Sequence, residues 1–193
     1  MRRFVRTPLA DLRDSREPQV LVGIVSDLRV INGQRGKLCL FKLDDKSAVI
    51  EASVDEATLN AHKEVLKDDE FVVLSARLQV DHFSGGLRAK VQQVWGLAEA
   101  RCRYGRYLQI NAIDKMPDVG RLLREFPAKR EASEHGDVLQ GLKVRLGMRC
   151  QSAQGAALVE LQLGDSSRFF PCDAALAAWC AEAGVGHSQV VYE

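Results

Sequence analysis

The sequence predicts a mixed β and α/β chain: a small closed barrel of five strands, then a small α+β domain with an open sheet and helices on one face. Three observations predict it. Residues 20–96 contain five segments in which apolar side chains recur at every second position, the period of a strand with one face in a core. A helical segment lies between the third and the fourth. Residues 106–193 then run βα, ββ, αβ, an order that suits one sheet covered on one side.

The bulk numbers agree with two units. At 193 residues the chain accommodates two cores of about 100 residues each. Apolar residues make up 46% and charged residues 27%, an ordinary soluble balance. A net charge of +1 excludes the whole-molecule electrostatics of a strongly basic nucleic-acid binder, so any such site must be a local patch. Cys39, Cys102, Cys150, Cys172 and Cys180 form no C-x-x-C pair and read as free thiols of a reducing cytoplasm. No apolar run is long enough to span a membrane, and the start Met1-Arg2-Arg3-Phe4-Val5-Arg6 lacks the apolar stretch of a signal peptide. A soluble cytoplasmic chain is expected, with residues 1–19 a basic, unpatterned lead-in from a truncated longer chain.

The first strand sets Val20, Val22, Ile24, Leu28 and Val30 on one face, interrupted only by Ser26; on the other, Leu21, Gly23 and Val25 give way to Asp27 and Arg29, so it begins buried on both sides and ends with one face in water, and Gly23 permits a sharp coil. A turn with two glycines, 31–37, leads to a short strand, Leu38 to Leu43. Asp44-Asp45-Lys46-Ser47 reads as a tight polar turn, which accounts for both carboxylates without a metal. The third strand turns Ala48, Ile50, Ala52 and Val54 inward, and Asp55 is placed to cap a helix reaching Lys67. The fourth strand, Phe71 to Val80, points Val72, Leu74, Ala76, Leu78 and Val80 inward. After the loop Asp81 to Gly86, the fifth sets Leu87, Ala89, Val91 and Trp95 inside and Arg88, Lys90 and Gln92 outside. Five strands with a helix between the third and the fourth is the order of an OB-fold barrel, here assigned to residues 20–96.

Barrels of this kind bind single strands across strands two and three, between the loops that join strands one to two and four to five. Both regions are supplied with the required chemistry. Arg35, Lys37 and Lys42 stand on one side, and His82, Phe83, Arg88 and Lys90 on the other, giving cations for phosphates and flat groups for bases. Plainer roles compete: Phe41 reads as barrel core, and Arg88 and Lys90 are charges that any exposed strand carries against aggregation. His62, His82, His135 and His187 are scattered without metal-ligand spacing, and no nucleophile elbow or phosphate loop occurs. No catalytic residue, cofactor or metal is expected.

The run Gly23-Ile24-Val25, Arg35-Gly36, Leu43-Asp44-Asp45, Glu51, Leu66 and Asp69 leads to Asp81-His82-Phe83-Ser84-Gly85-Gly86-Leu87 and then Ala98-Glu99-Ala100-Arg101. Together with Tyr104 and Leu108-Gln109-Ile110, it closely resembles the OB region of bacterial DNA polymerase III alpha subunits and the domain that follows it. The resemblance covers nearly the whole chain. It implies a non-catalytic C-terminal part of a DNA-directed DNA polymerase, a nucleotidyltransferase whose active-site carboxylates lie in a part absent here. It further implies that the OB domain contacts single-stranded template DNA and that the last domain binds the tau subunit of the clamp loader. Other replicase subunits would be met through the absent part.

A linking helix is expected over 97–105, then a strand, Tyr107 to Ala112, and a helix opened by Pro117 that carries Val119, Leu122, Leu123 and Phe126. Pro127 to Asp137 is polar and reads as a mobile loop. Leu142 to Arg149 and Ala157 to Leu163 form a hairpin; Asp173 is expected to cap a helix bearing Leu176, Trp179, Cys180 and Ala183; Gln189 to Tyr192 is a last strand. Within 106–193, Trp179, Val190, Val191 and Tyr192 are the candidates for the tau-binding surface, although the helical spacing of Trp179 is already explained by a place in the core. Two other readings compete for the barrel: an RNA-binding module such as an anticodon-binding domain, and an OB barrel used only for protein–protein contacts.

Overall fold

The computed structural model describes every residue except 1–4, 6, 34–35, 82–84, 113–115, 134–135, 153–154, 185 and 193. It divides into two compact units, Met1–Leu97 and Ala98–Glu193.

The first unit opens with a single 3-10 turn, Leu9–Asp11, and continues through β1 (Ser15–Gly33), β2 (Gly36–Asp44), β3 (Val49–Asp55), α1 (Glu56–Ala61), β4 (Phe71–Val80) and β5 (Leu87–Gly96). The strands close into a barrel in the order β1-β2-β3-β5-β4. All neighbours are antiparallel except β3 and β5. This is the expected OB topology, and closure removes the sheet edges that would otherwise invite pairing with another chain. The 19-residue β1 makes closure possible by serving two neighbours: its first half pairs with β4 and its second with β2.

Period-2 patterning fills the interior as expected in three strands. Phe41 and Leu43 of β2, Ala52 and Val54 of β3, and Val72, Leu74, Ala76 and Leu78 of β4 are buried; only Val80, expected inward, lies exposed at the end of β4. Strand β1 begins buried on both sides as expected, with Leu21, Val22 and Val25 in the core, but Ile24, expected inward, is 37% exposed. The reason is a bulge. Ser26 pairs with Lys42 and Arg29 with Leu40, so Asp27 and Leu28 together face the single residue Phe41. Asp27 takes the left-handed conformation, φ 55°, and the Leu28 N–H donates to Asp68 Oδ1 at 3.0 Å. The inward set therefore switches from odd to even positions at the bulge, so that Leu28 packs on the core and Arg29 turns outward. A second bulge, at Gln92 between the pairs Ala76–Val91 and Ser75–Gln93, makes Val94 the buried residue of β5 instead of Trp95.

Other differences from expectation have equally local causes. The stretch expected as an unpatterned lead-in supplies Leu9 and Leu12 to the barrel core, 3% and 7% exposed. The anchor is the Asp44–Ser47 turn: Asp45 Oδ2 accepts from the Leu9 N–H at 2.9 Å, while Asp45 Oδ1 accepts from the N–H groups of Ser47 (2.8 Å) and Ala48 (3.2 Å). α1 ends at Ala61 rather than Lys67, and turns fill the rest of that connection. At Gly23 a side chain would collide with Asp44 O and Leu43 Cγ, both 2.8 Å from an added Cβ, so glycine is required where β1 crosses closely over β2.

The second unit comprises α2 (Leu97–Tyr104, which starts at the boundary), β6 (Gly105–Ala112), α3 (Val119–Glu125), β7 (Lys129–Ser133), β8 (Gly136–Gln140), β9 (Lys143–Ser152), β10 (Gly155–Gln162), α4 (Asp173–Ala183) and β11 (Ser188–Tyr192). Its main sheet has the order β10-β9-β6-β11, with β6 parallel to β9 and the other pairs antiparallel. Leu122 of α3 and Ala175 and Trp179 of α4 pack on Leu108, Ile110, Val144 and Leu146, so the helices cover one face of the sheet. The stretch expected as a mobile loop is instead an antiparallel hairpin, β7–β8, whose polar alternation carries its own backbone pairing. Asp173 is the first residue of α4 rather than its cap, and it forms an ion pair with Arg101 at 2.6 Å; the same guanidinium donates to Pro171 O at 3.0 Å. No described helix is long and apolar enough to cross a membrane.

Asp45 supplies a prediction. Burial pushes its carboxyl up, but hydrogen bonds from the Ser47 side chain and from the backbone of Leu9, Ser47 and Ala48 more than offset this and hold it below its ordinary 3.8. A carboxyl depressed on folding stabilises fully above that ordinary value, and the contribution is lost as pH falls through the folded-state value. Asp45→Ala is expected to lower the unfolding free energy by about 1–2 kcal/mol at pH 7. Urea unfolding should show the gap between variant and parent closing in acid.

Candidate nucleic-acid interface

The outward side chains of β1, β2, β3 and β5 fall into cross-strand rows fixed by the pairing register. One row runs Arg29, Leu40, Ser53, Lys90, and continues round the barrel to Arg77 on β4. With neighbouring strands about 4.8 Å apart, Arg29 and Lys90 are about 14 Å from each other along the sheet. Arg29, Lys90 and Arg77 are exposed, and no carboxylate among the described residues forms an ion pair with them.

The next row runs Asp27, Lys42, Glu51, Arg88. Its cations are engaged: Lys42 Nζ is 3.0 Å from Asp27, and Arg88 is 3.5 Å from Glu51 and 3.4 Å from Asp81. The hydrogen bond from Lys42 and its positive charge hold the Asp27 carboxyl below the usual range, with Arg29 adding to the effect. Lys37 is likewise paired, 3.3 Å from Glu56. The Lys37 and Lys42 pairs are about half exposed, where an ion pair is worth only about 0–1 kcal/mol, so an incoming phosphate can compete for those two cations. Arg88 is held more firmly, by two carboxylates of which Asp81 is largely buried.

The residues expected from sequence therefore divide. Lys37, Lys42 and Arg88 lie on the expected side of the barrel but are neutralised; Lys90 shares a row with unpaired cations; Arg35, His82 and Phe83 lie outside the described residues. The loop that carries His82 and Phe83 is closed at its base by Asp81 N–H to Gly86 O and Gly85 N–H to Asp81 O, both 2.8 Å. Sequence reasoning missed Arg29 as a site residue. Alternation already set Arg29 on the water-facing side of the first strand; what the sequence did not show is the bulge that keeps it there and the row it joins. Phe41, 1% exposed, is core.

In the second unit, Trp179 is fully buried, its ring 5.5 Å from that of Phe169, so it holds α4 to the sheet and presents no surface to a partner. Val190, Val191 and Tyr192 are half-buried on β11, one edge of the sheet. The other edge was not anticipated as a surface. β10 exposes Leu158 (86%), Val159 and Leu161, pairs with β9 without a bulge, and has neither proline nor lysine. Its one charge, Glu160, lies 3.8 Å from Arg145, so the edge carries little of the usual protection against strand addition.

No family model matches the chain. A DNA polymerase III subunit alpha of Pseudomonas fluorescens is 30% identical over 179 residues, 92% of this chain and 14% of that protein. Its counterpart in Pseudomonas aeruginosa is 29% identical over 186 residues, 90% of this chain and 14% of that protein. The Escherichia coli (strain K12) subunit is 29% identical over 133 residues, 67% of this chain and 11% of that protein. The chain thus spans about a seventh of the length of the first of these relatives. Among solved structures, the second OB-fold domain of replication protein A from Methanococcus maripaludis has a TM-score of 0.37 and 13% identity, over 47% of this chain and 93% of that chain. A replication protein A heterotrimer bound to ssDNA has a TM-score of 0.38 and 14% identity, over 94% of this chain and 44% of that one. On the sequence matches, the chain is a relative of a small C-terminal portion of bacterial DNA polymerase III alpha subunits.

Proposed function

We propose that the barrel holds single-stranded template DNA for a replicative polymerase whose bond-forming residues lie elsewhere in the parent protein. The observation that carries this reading is the row Arg29, Leu40, Ser53, Lys90: two unpaired cations flanking an aliphatic and a hydroxyl side chain on an exposed face of a five-stranded barrel. The cations meet phosphates, and Leu40 offers apolar contact to a base. Arg35, His82 and Phe83 would act from the two loops, with Lys37, Lys42 and Arg88 joining only as phosphate displaces their carboxylates.

Fluorescence anisotropy of a labelled oligo-dT across a salt series tests the reading. Arg29→Glu/Lys90→Glu should weaken binding at least about tenfold and make the logarithmic salt slope shallower by about 1.4, the share of two phosphates on a single strand. Unchanged DNA binding in this variant would leave the barrel as a protein-contact platform. Tight binding of a structured tRNA with none of oligo-dT would favour an RNA-binding module.

The second unit we propose as the docking site for the tau subunit of the clamp loader. The likeness to the alpha subunits and the two open sheet edges, β10 above all, support it. Immobilised tau should capture the chain, and Leu158→Lys/Leu161→Lys should reduce capture at least about tenfold, because charge on an edge strand opposes strand addition. Full capture of that variant would move the contact to β11, at Val190, Val191 and Tyr192.

A further inference from the structure

The barrel face is patterned in a way that single-strand binding alone does not require, and the inference drawn from it rests on that reading of the face. The row Arg29, Leu40, Ser53, Lys90 contains no carboxylate, whereas both rows beside it do. On one side stand Asp27 and Glu51, alternating with the cations Lys42 and Arg88 that they neutralise. On the other stands Asp55, paired across to Leu38, with Ile31 completing that row and no cation in it. Same-face neighbours along a strand are about 7 Å apart, so the flanking charges lie about that far to either side of the positive track.

A duplex carries a second phosphate backbone across grooves of about 6 Å and about 12 Å. If one backbone follows the Arg29–Lys90 track, the other is brought towards a flanking row, where it meets carboxylates or cations already occupied by them. A lone strand meets no such penalty. We propose that Asp27, Glu51 and Asp55 make the barrel face selective for one phosphodiester strand over two, by restricting usable positive charge to a single file.

The test compares the whole chain with its Asp27→Asn/Glu51→Gln variant, measuring binding of a labelled mixed-sequence oligonucleotide and of its duplex at about 0.1 M salt, where charges about 7 Å apart still interact. Asparagine tolerates the left-handed conformation that Asp27 adopts, so the bulge is kept. Glu70→Gln removes the same kind of charge from an exposed turn before β4 and serves as the control. The parent should prefer the single strand by at least about tenfold, and the double variant should bind both ligands more tightly, duplex most, cutting that preference by about threefold or more. The control should leave it unchanged. Equal tightening of both ligands, or an equal shift in the control, would reduce the carboxylates to bulk charge and overturn the assignment. A parent that binds neither ligand would remove the single-strand reading itself, and this inference with it. Matching thermal unfolding of parent and variants confirms that folded proteins are compared.

Discussion

The bulge at Asp27 is the constraint on which the first unit depends. A strand with uninterrupted alternation would carry its inward set of Leu21 and Val25 on to positions 27 and 29, sending a carboxylate and a guanidinium into an apolar barrel, where unpaired charge is heavily penalised. One extra residue in the left-handed conformation reverses the parity. Leu28 then goes in, Arg29 comes out, and Asp27 is left on the surface beside Lys42. Core and charge pattern share this origin.

The same event explains how a chain of net charge +1 can present a track for an anionic strand. Lys37, Lys42 and Arg88 are tied to carboxylates, which lowers their pull on phosphate without removing them. Such a face would bind modestly and release readily, a behaviour suited to a support that travels along template. A uniformly basic face would hold any polyanion, duplex included.

Much of the architecture was legible in the sequence because most strands obey simple alternation. Phe41, Ala52, Val54, Leu74 and Leu78 are buried where period 2 puts them, and Trp179 lies in the core at its helical spacing from Leu176 and Ala183. Failures fall where one residue breaks the period. Ile24 and Trp95 were assigned inward because neither bulge leaves a compositional mark stronger than Ser26 or Gln92. Leu9 and Leu12 escaped because their anchor is Asp45, more than thirty residues away. The β7–β8 hairpin escaped because its pairing is polar backbone on backbone, with little apolar alternation to detect. In the site, residue types indicated which cations existed but not which were already engaged, since the pairing of Lys42 with Asp27 depends on a register that only the folded barrel defines.

The central claim is that the row exposed by the Asp27 bulge is where a single strand lies. Titrating an isotopically labelled chain with a short oligo-dT, and following its backbone amide resonances by NMR, tests this most directly. Shifts are expected to concentrate at Arg29, Leu40, Ser53 and Lys90, fading towards Asp55 and Glu51. Shifts confined to the far side of β4 or to the second unit, with that row silent, would contradict it.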